Sequence, residues 1–391
     1  MKRKVILTIA SVLLLGFSAF IFAGCDESGS GGGGGGAPAA NNNQGAGAGT
    51  STGSGSVNVG IVLPTKEEPR WLQDEAKFKE VIGTTEYTAE VMFSGGRSDT
   101  EKQNVEVLVG KGIDVLIICP HDATAAAAAV DVAKKAGVTV IAYDRLVPET
   151  DALDYYVTFD SVSVGEAQAQ YLVDQATGTG NPLYLYAGAA SDNNAFLFFE
   201  GSWNVLQPKI ADGTFVIKNS SEAVNLQDKA QLSREEMSKI IGQISTNWDF
   251  GIAKTLAEAN MTAVSAEDKG HVFALAPNDG TARAIADTFA VNVDSYVITG
   301  QDSEIESVQY IIDGKQSMTV FKDTRSLASD AMNMAVSVLK GEAVDATASY
   351  NNGMMDVPAK QSPIISVDIN NLVSVLIDSG YFSADLFTGL N

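Results

Sequence analysis

The chain has 391 residues, 45% of them hydrophobic, enough for two domains with sizeable cores, so disorder of the whole chain is excluded. Lys plus Arg number 26 against 48 Asp plus Glu, a net charge of −22, which excludes binding driven by counterion release from nucleic acid. Two cysteines (Cys25, Cys119) and two histidines (His121, His271) allow no disulfide framework and leave little for a metal site; no cofactor is expected.

The first 24 residues have the parts of an export signal. Lys2, Arg3 and Lys4 form a basic start, an apolar run follows to Phe22, and Ala23 and Gly24 supply small residues for a peptidase. From Asp26 to Ser56 the chain is Gly, Ser, Ala, Asn and Thr, including six consecutive glycines at 31–36. Such a segment buries too little to offset its ordering entropy, and about 30 residues of it reach roughly 30 Å as a flexible tether.

Beyond Ser56 the pattern becomes regular. Strand-like apolar runs lie at 57–63, 87–93, 114–119 and 138–143, separated by helix-like stretches at 99–110 and 122–136, the second with Asp122 placed to cap its start. After YYVTFD at 155–160, strands are expected at 182–187, 214–218, 271–276, 295–299 and 317–321. Helices are expected at 163–175, 194–207, 249–260, 280–290 and 304–313. The polar segment 221–247 is long for a loop and is a further place for helix. Alternating strands and helices imply parallel sheets covered on both faces, and this many strands imply two similar doubly wound α/β lobes. Trp203 lies on an apolar helix face and Cys119 within an apolar strand, both expected in the core.

Ligands of open parallel sheets bind beyond the carboxyl ends of the strands. Here those ends run into Arg70-Trp71, Pro120-His121-Asp122, Asp144-Arg145, Asp192-Asn193-Asn194, Asn278-Asp279, Gln301-Asp302 and Lys322-Asp323. Each sugar hydroxyl both donates and accepts, so carboxylates and amides can take its proton while Arg, Lys and Asn donate to its oxygen. Trp71 and Trp248 offer flat faces for a pyranose ring. An enzyme is not expected. Asp144 and Asp302 could be imagined as a carboxylate pair, but Arg145 and Lys322 should keep both ionised and leave no general acid, and no GxSxG, HExxH or GxxxxGK[ST] motif is present.

Several stretches resemble the substrate-binding proteins of ABC sugar importers, of the ribose and galactose type, with the nearest match to D-xylose-binding and broad-specificity aldose-binding proteins. They are PRW at 69–71, IAYDRL at 141–146, SDNNAFLF at 191–198, GQDSEIESV at 300–308, TVFKDTR at 319–325 and NNGMMDVP at 351–358. Ala-Gly-Cys25 likewise resembles the bacterial lipobox, in which the cysteine is acylated and becomes the first mature residue.

The resemblance implies a type I periplasmic binding protein, two Rossmann-like lobes joined by a three-segment hinge. Lobe one would be 57–160 plus 323–352, and lobe two 161–322 plus 353–391, with crossings near 158–162, 320–324 and 350–355. It implies that Arg70, Asp144, Arg145, Asn194, Asn278 and Asp302 hydrogen-bond sugar hydroxyls, with Lys322 at a hinge strand. Trp71 and Trp248 would stack on the ring, and Asp122 is an extra candidate because its strand opens on the same cleft.

The implied role is capture of a monosaccharide, D-xylose or a related aldose such as glucose, galactose or arabinose, for an ABC permease. The protein would be a monomer, lipid-anchored through Cys25 on the outer face of the cytoplasmic membrane. The alternative role is that of a sensor presenting bound sugar to a chemoreceptor or histidine kinase; no nucleic acid partner is implied.

Overall fold

The computed structural model describes residues 57–390. The expected signal, Cys25 and the tether lie outside them. The described chain begins with three strand–helix units: β1 (Val59–Leu63), α1 (Pro69–Ile82), β2 (Ala89–Phe93), α2 (Ser98–Gly110), β3 (Val115–Ile118) and α3 (Ala127–Lys135). Two more strands follow, β4 (Thr139–Tyr143) and β5 (Tyr155–Phe159). β1 and β3 are buried along their whole length, as continuous Val/Ile/Leu runs require when helices cover both faces of a parallel sheet.

A second series comprises α4 (Ser161–Gln175), β6 (Asn181–Leu185), α5 (Asn193–Ala211), β7 (Phe215–Ile217), α6 (Ser221–Asn225), α7 (Arg234–Ile244) and α8 (Phe250–Ala263). It continues through β8 (His271–Leu275), α9 (Asp279–Phe289), β9 (Ser295–Ile298) and α10 (Ile305–Ile312). The polar 221–247 segment thus holds two helices, and α7 opens with a reciprocal capping box between Ser233 and Glu236. The chain ends through β10 (Met318–Lys322), α11 (Thr324–Lys340), β11 (Ala348–Asn351), β12 (Asp356–Ser362) and β13 (Ile364–Asp368).

Two main sheets result. The first has the order β2-β1-β3-β4-β5-β12-β11, parallel except for β11; the second, β7-β6-β8-β9, is all parallel. β10 pairs antiparallel with β13 as a separate ribbon. Leu327, Ala328, Ala331, Met332 and Ala335 of α11 pack into the first sheet's core with Val59, Ile61, Trp71 and Phe78. The second sheet's core holds Trp203, Phe199, Phe215 and Phe273.

The expected third boundary is corrected. β12 runs parallel to β5, with Ala359 opposite Tyr156 and Ser362 opposite Phe159, so 353–362 belong with the first sheet and the chain leaves it between Ser362 and Ile364. The stretch 356–362, DVPAKQS, gives no apolar run because β12 buries little more than Val357 and Ala359.

α4 and α5 lie backbone against backbone. A Cβ added at Gly165 would fall 1.9 Å from Phe198 O, and one at Gly201 would fall 2.0 Å from Val162 O. These two glycines set the depth of α5, whose first turns face the site.

Candidate functional site

The carboxyl ends of strands from both sheets converge on one cavity of about 310 Å³, lined by Glu68, Arg70, Trp71, Asp144, Arg145, Asp192, Asn194, Phe198, Trp248, Asn278, Gln301, Asp302 and Lys322. Nine of the ten expected side chains are therefore brought together. Asp122 is not among them. Its Oδ1 accepts the Ala125 amide at 2.8 Å, capping the turn that leads into α3, which begins only at Ala127.

Arg70 enters on the first turn of α1, behind Pro69, whose fixed φ suits a helix start. Its Nη2 donates to Asp144 Oδ2 at 2.7 Å, and Nη1 lies 3.5 Å from Asp302 Oδ1. Lys322, the last residue of β10, places Nζ 2.7 Å from the same Asp302 oxygen. Arg145 pairs through Nε with Asp192 Oδ2 at 2.9 Å and donates from Nη1 to Pro120 O. The contacts of Arg70 with Asp302 and of Arg145 with Asp192 cross from one sheet assembly to the other. So do Asn194 Nδ2, which donates to Asp144 O at 3.0 Å, and the Ala123 amide, which donates to Ser191 O.

Electrostatics follow from burial. Burial alone would raise the Asp144 carboxyl, but Arg70, Lys322 and Arg145 outweigh it and hold the group below the usual carboxylate range. Asp192 and Glu68 move the other way, because burial exceeds the pull of Arg145 on each. Arg70 and Arg145 are both raised: the surrounding carboxylates more than offset burial. An ionised Asp144 cannot serve as the general acid of glycoside hydrolysis.

Three lining residues adopt positive φ, a region that non-glycine residues rarely enter: Asp144 at 62°, Trp248 at 62° and Asp302 at 97°. Each such residue costs on the order of 1–3 kcal/mol and persists only where surrounding contacts fix it. Asp144 is fixed by its amide on Val157 O and by the Tyr156 hydroxyl donating to its carbonyl at 2.7 Å. Asp302 is fixed by its amide on Val320 O. The Trp248 ring lies so close to Gly188 that a Cβ there would fall 2.0 Å from Cζ2, and it meets Phe198 in a T-shaped contact.

Four buried polar atoms of the lining residues have no hydrogen-bond partner: Trp71 Nε1, Trp248 Nε1, Gln301 Oε1 and Asp302 Oδ1. The last is ion-paired with Lys322 and Arg70 without an aligned hydrogen bond. Two are donors and two are acceptors. An unsatisfied buried group costs about 1–3 kcal/mol, so a ligand meeting Trp71 Nε1, Trp248 Nε1 and Gln301 Oε1 gains substantially.

Glu68, Asp192, Phe198 and Gln301 complete the lining without having been singled out from sequence. Asp192 and Gln301 stand in the same strand-end segments as Asn194 and Asp302, two positions and one position before them. Phe198 follows Asn194 by four residues on α5, which puts both on one helix face. Glu68 precedes Pro69 as the N-cap residue of α1. No group of three or more His, Cys, Asp or Glu able to hold a metal occurs among the described residues.

The model of the periplasmic binding protein domain family matches residues 59–343. A multiple sugar-binding periplasmic receptor of Rhizobium radiobacter is 34% identical over 341 residues, covering 84% of this chain and 91% of that protein. A D-xylose-binding periplasmic protein of Haemophilus influenzae is 31% identical over 330 residues, covering 84% and 91%. Among solved structures, a carbohydrate transporter solute binding protein from Chloroflexus aurantiacus in complex with D-glucose is 66% identical. It superposes with a TM-score of 0.84, covering 86% of this chain and 99% of that one.

Proposed function

The chain belongs to the periplasmic binding protein family, and from that premise we propose that it is an exported, non-enzymatic solute-binding protein that captures a monosaccharide and hands it to an ABC sugar permease. The observation that carries this reading is one cavity, lined by paired charges, in which two buried donors, Trp71 Nε1 and Trp248 Nε1, and one buried acceptor, Gln301 Oε1, lack a hydrogen-bond partner. A sugar hydroxyl can answer either kind. The lining holds four carboxylates and three cations, largely paired with one another. A neutral polyol therefore fits better than a phosphorylated or acidic sugar, which would add charge to a net negative site.

In this reading Arg70, Asp144, Arg145, Asn194, Asn278, Asp302 and Lys322 bind hydroxyls directly, as do Glu68, Asp192 and Gln301. Trp71, Trp248 and Phe198 enclose the apolar faces of the ring. Two lobes, 57–160 with 323–362 and 161–322 with 363–390, move about the three places where the chain crosses between them. Contacts divided between lobes are complete only when the cleft is shut, so the ligand shifts the equilibrium toward closure, the shape a permease would read.

The ligand is an aldopyranose. D-Glucose is the first candidate from the 66%-identical complex, and D-xylose follows from the name of the Haemophilus protein. The amino-terminal residues add export through 1–24, acylation at Cys25 and a tether to 56 that keeps the binding body near the membrane.

Tryptophan fluorescence titrated with glucose, xylose, galactose, arabinose and ribose tests the proposal. Saturable changes at micromolar glucose or xylose are expected, because Trp71 and Trp248 line the cavity. Silence from all five aldoses would refute it.

A further inference from the structure

Behind Arg70 stands a carboxylate that the ligand cavity does not include. Asp74 follows Arg70 by four residues on α1, is fully buried and is absent from the cavity lining. Its Oδ2 accepts the Tyr143 hydroxyl at 3.1 Å and lies 3.4 Å from Arg70 Nη2, while Oδ1 accepts from Arg70 Nε at 3.5 Å. Tyr143 is the last residue of β4 and the direct neighbour of Asp144, which takes Arg70 Nη2 at 2.7 Å. Asp74, Arg70, Asp144 and Tyr143 thus close a ring joining α1 to the end of β4. One side of the guanidinium faces Asp144 and Asp302 in the cavity, and Asp74 holds the other.

We infer that Asp74 is a positioning residue for sugar binding: its ionised carboxylate fixes the Arg70 guanidinium, and through Tyr143 the Asp144 loop, in the arrangement that meets the ligand. The inference rests on the proposed binding role of Arg70. A guanidinium has a rigid fork of donors, so its value to a ligand depends on how it is turned. Without its rear partner, Arg70 is held only by the cavity-side carboxylates Asp144 and Asp302 and turns further toward acceptors that the sugar should meet.

The charged and titratable groups facing Asp74 are Arg70 on its own helix, Tyr143 and Asp144 at the end of β4, and Tyr381 from the carboxyl-terminal segment. Burial raises the Asp74 carboxyl to about 6, against the opposing pull of Arg70. As pH falls through that value the group gains a proton, loses its charge and releases Arg70, so affinity declines on the acid side.

The test is calorimetric titration of the full-length protein with D-glucose between about pH 5 and about pH 8, for wild type, Asp74→Asn and Tyr143→Phe. Wild-type affinity is expected to be level above about pH 7 and to fall by about tenfold toward pH 5, the scale of one charge-assisted hydrogen bond. Asp74→Asn, nearly isosteric, should bind about tenfold more weakly at neutral pH and lose most of that acid-side slope, the remainder coming from Glu68 and Asp192, whose carboxyls are raised in the same cavity. Tyr143→Phe keeps the carboxylate and should keep the slope with a smaller loss. A merely structural role would alter melting temperature without flattening the pH profile. Asp74→Asn with wild-type affinity, or with the wild-type acid-side loss intact, would overturn the assignment while leaving the sugar reading in place. No glucose binding by wild type at any pH would overturn both.

Discussion

Glu101 lies on the first turn of α2 with no exposed surface. Its Oε2 accepts the His121 amide at 2.7 Å while Oε1 finds no partner. Burial raises its carboxyl to about 7 from 4.5, with the His121 amide opposing. Because the folded-state value exceeds the unfolded one, the folded protein holds the extra proton between those limits, and stability falls as pH rises through the window. The full penalty, up to about 3 kcal/mol, is felt above the folded value. Glu101→Gln should therefore match or exceed wild type in melting temperature at about pH 8 and lose that advantage near pH 5. Parallel melting curves across the range would show that Glu101 does not titrate there. Residues of this kind were illegible in the sequence: Glu101 and Asp74 sit on helices among other charged residues, and only tertiary packing distinguishes them from a solvated face. The strand-end residues were legible because an apolar run that stops at Asp-Arg or Asn-Asp marks its own end. Asp122 shows the limit of that rule, since a carboxylate at a strand end serves equally well as a cap.

Among the elements, the α4–α5 pair governs how the second sheet presents its side of the site. Gly165 and Gly201 let the helix backbones touch, and α5 carries Asn194 and Phe198 into the cavity from that contact. Gly201→Ala places a methyl 2.0 Å from the Val162 carbonyl, so the helices must separate. A loss of about 1–3 kcal/mol, typical of overpacking, is expected in chemical denaturation, together with weakened sugar binding as α5 moves outward. Unchanged stability and affinity would mean that the pair yields at no cost. The sequence revealed the helices of this pair through their periodicity but not the glycine contact, which depends on two segments more than 30 residues apart. α11 and the strands β11 to β13 went unread for another reason. α11 buries mainly Ala and Met with single bulky residues, and β12 takes its place by pairing with β5 rather than by apolar content.

Over the whole molecule, two sheet assemblies meet at a cavity closed by contacts that each side supplies in part: Arg70 with Asp302, Arg145 with Asp192, Asn194 with Asp144, and the Ala123 amide with Ser191. These cross-cleft pairs hold polar groups in the places a ligand's hydroxyls would take, so ligand and closure draw on the same residues. That division of the site explains why the order of strand ends along the chain revealed so much of it. In a doubly wound fold every strand delivers its carboxyl end to the same edge, and two such edges facing each other turn a linear series of Asp, Asn, Arg and Lys into a cavity lining.

The central claim, capture of one aldose between the two halves, is tested most directly by calorimetric titration of the full-length protein with D-glucose and D-xylose beside Asp302→Ala. Asp302 is the carboxylate on which Lys322 and Arg70 converge in the cavity, so its removal leaves both cations without their shared partner. The account predicts one micromolar site per chain for at least one of the two sugars, and no measurable heat from the Asp302→Ala protein although it melts cooperatively. Retained micromolar binding by that variant, or no binding of either sugar by the wild-type protein, would contradict it.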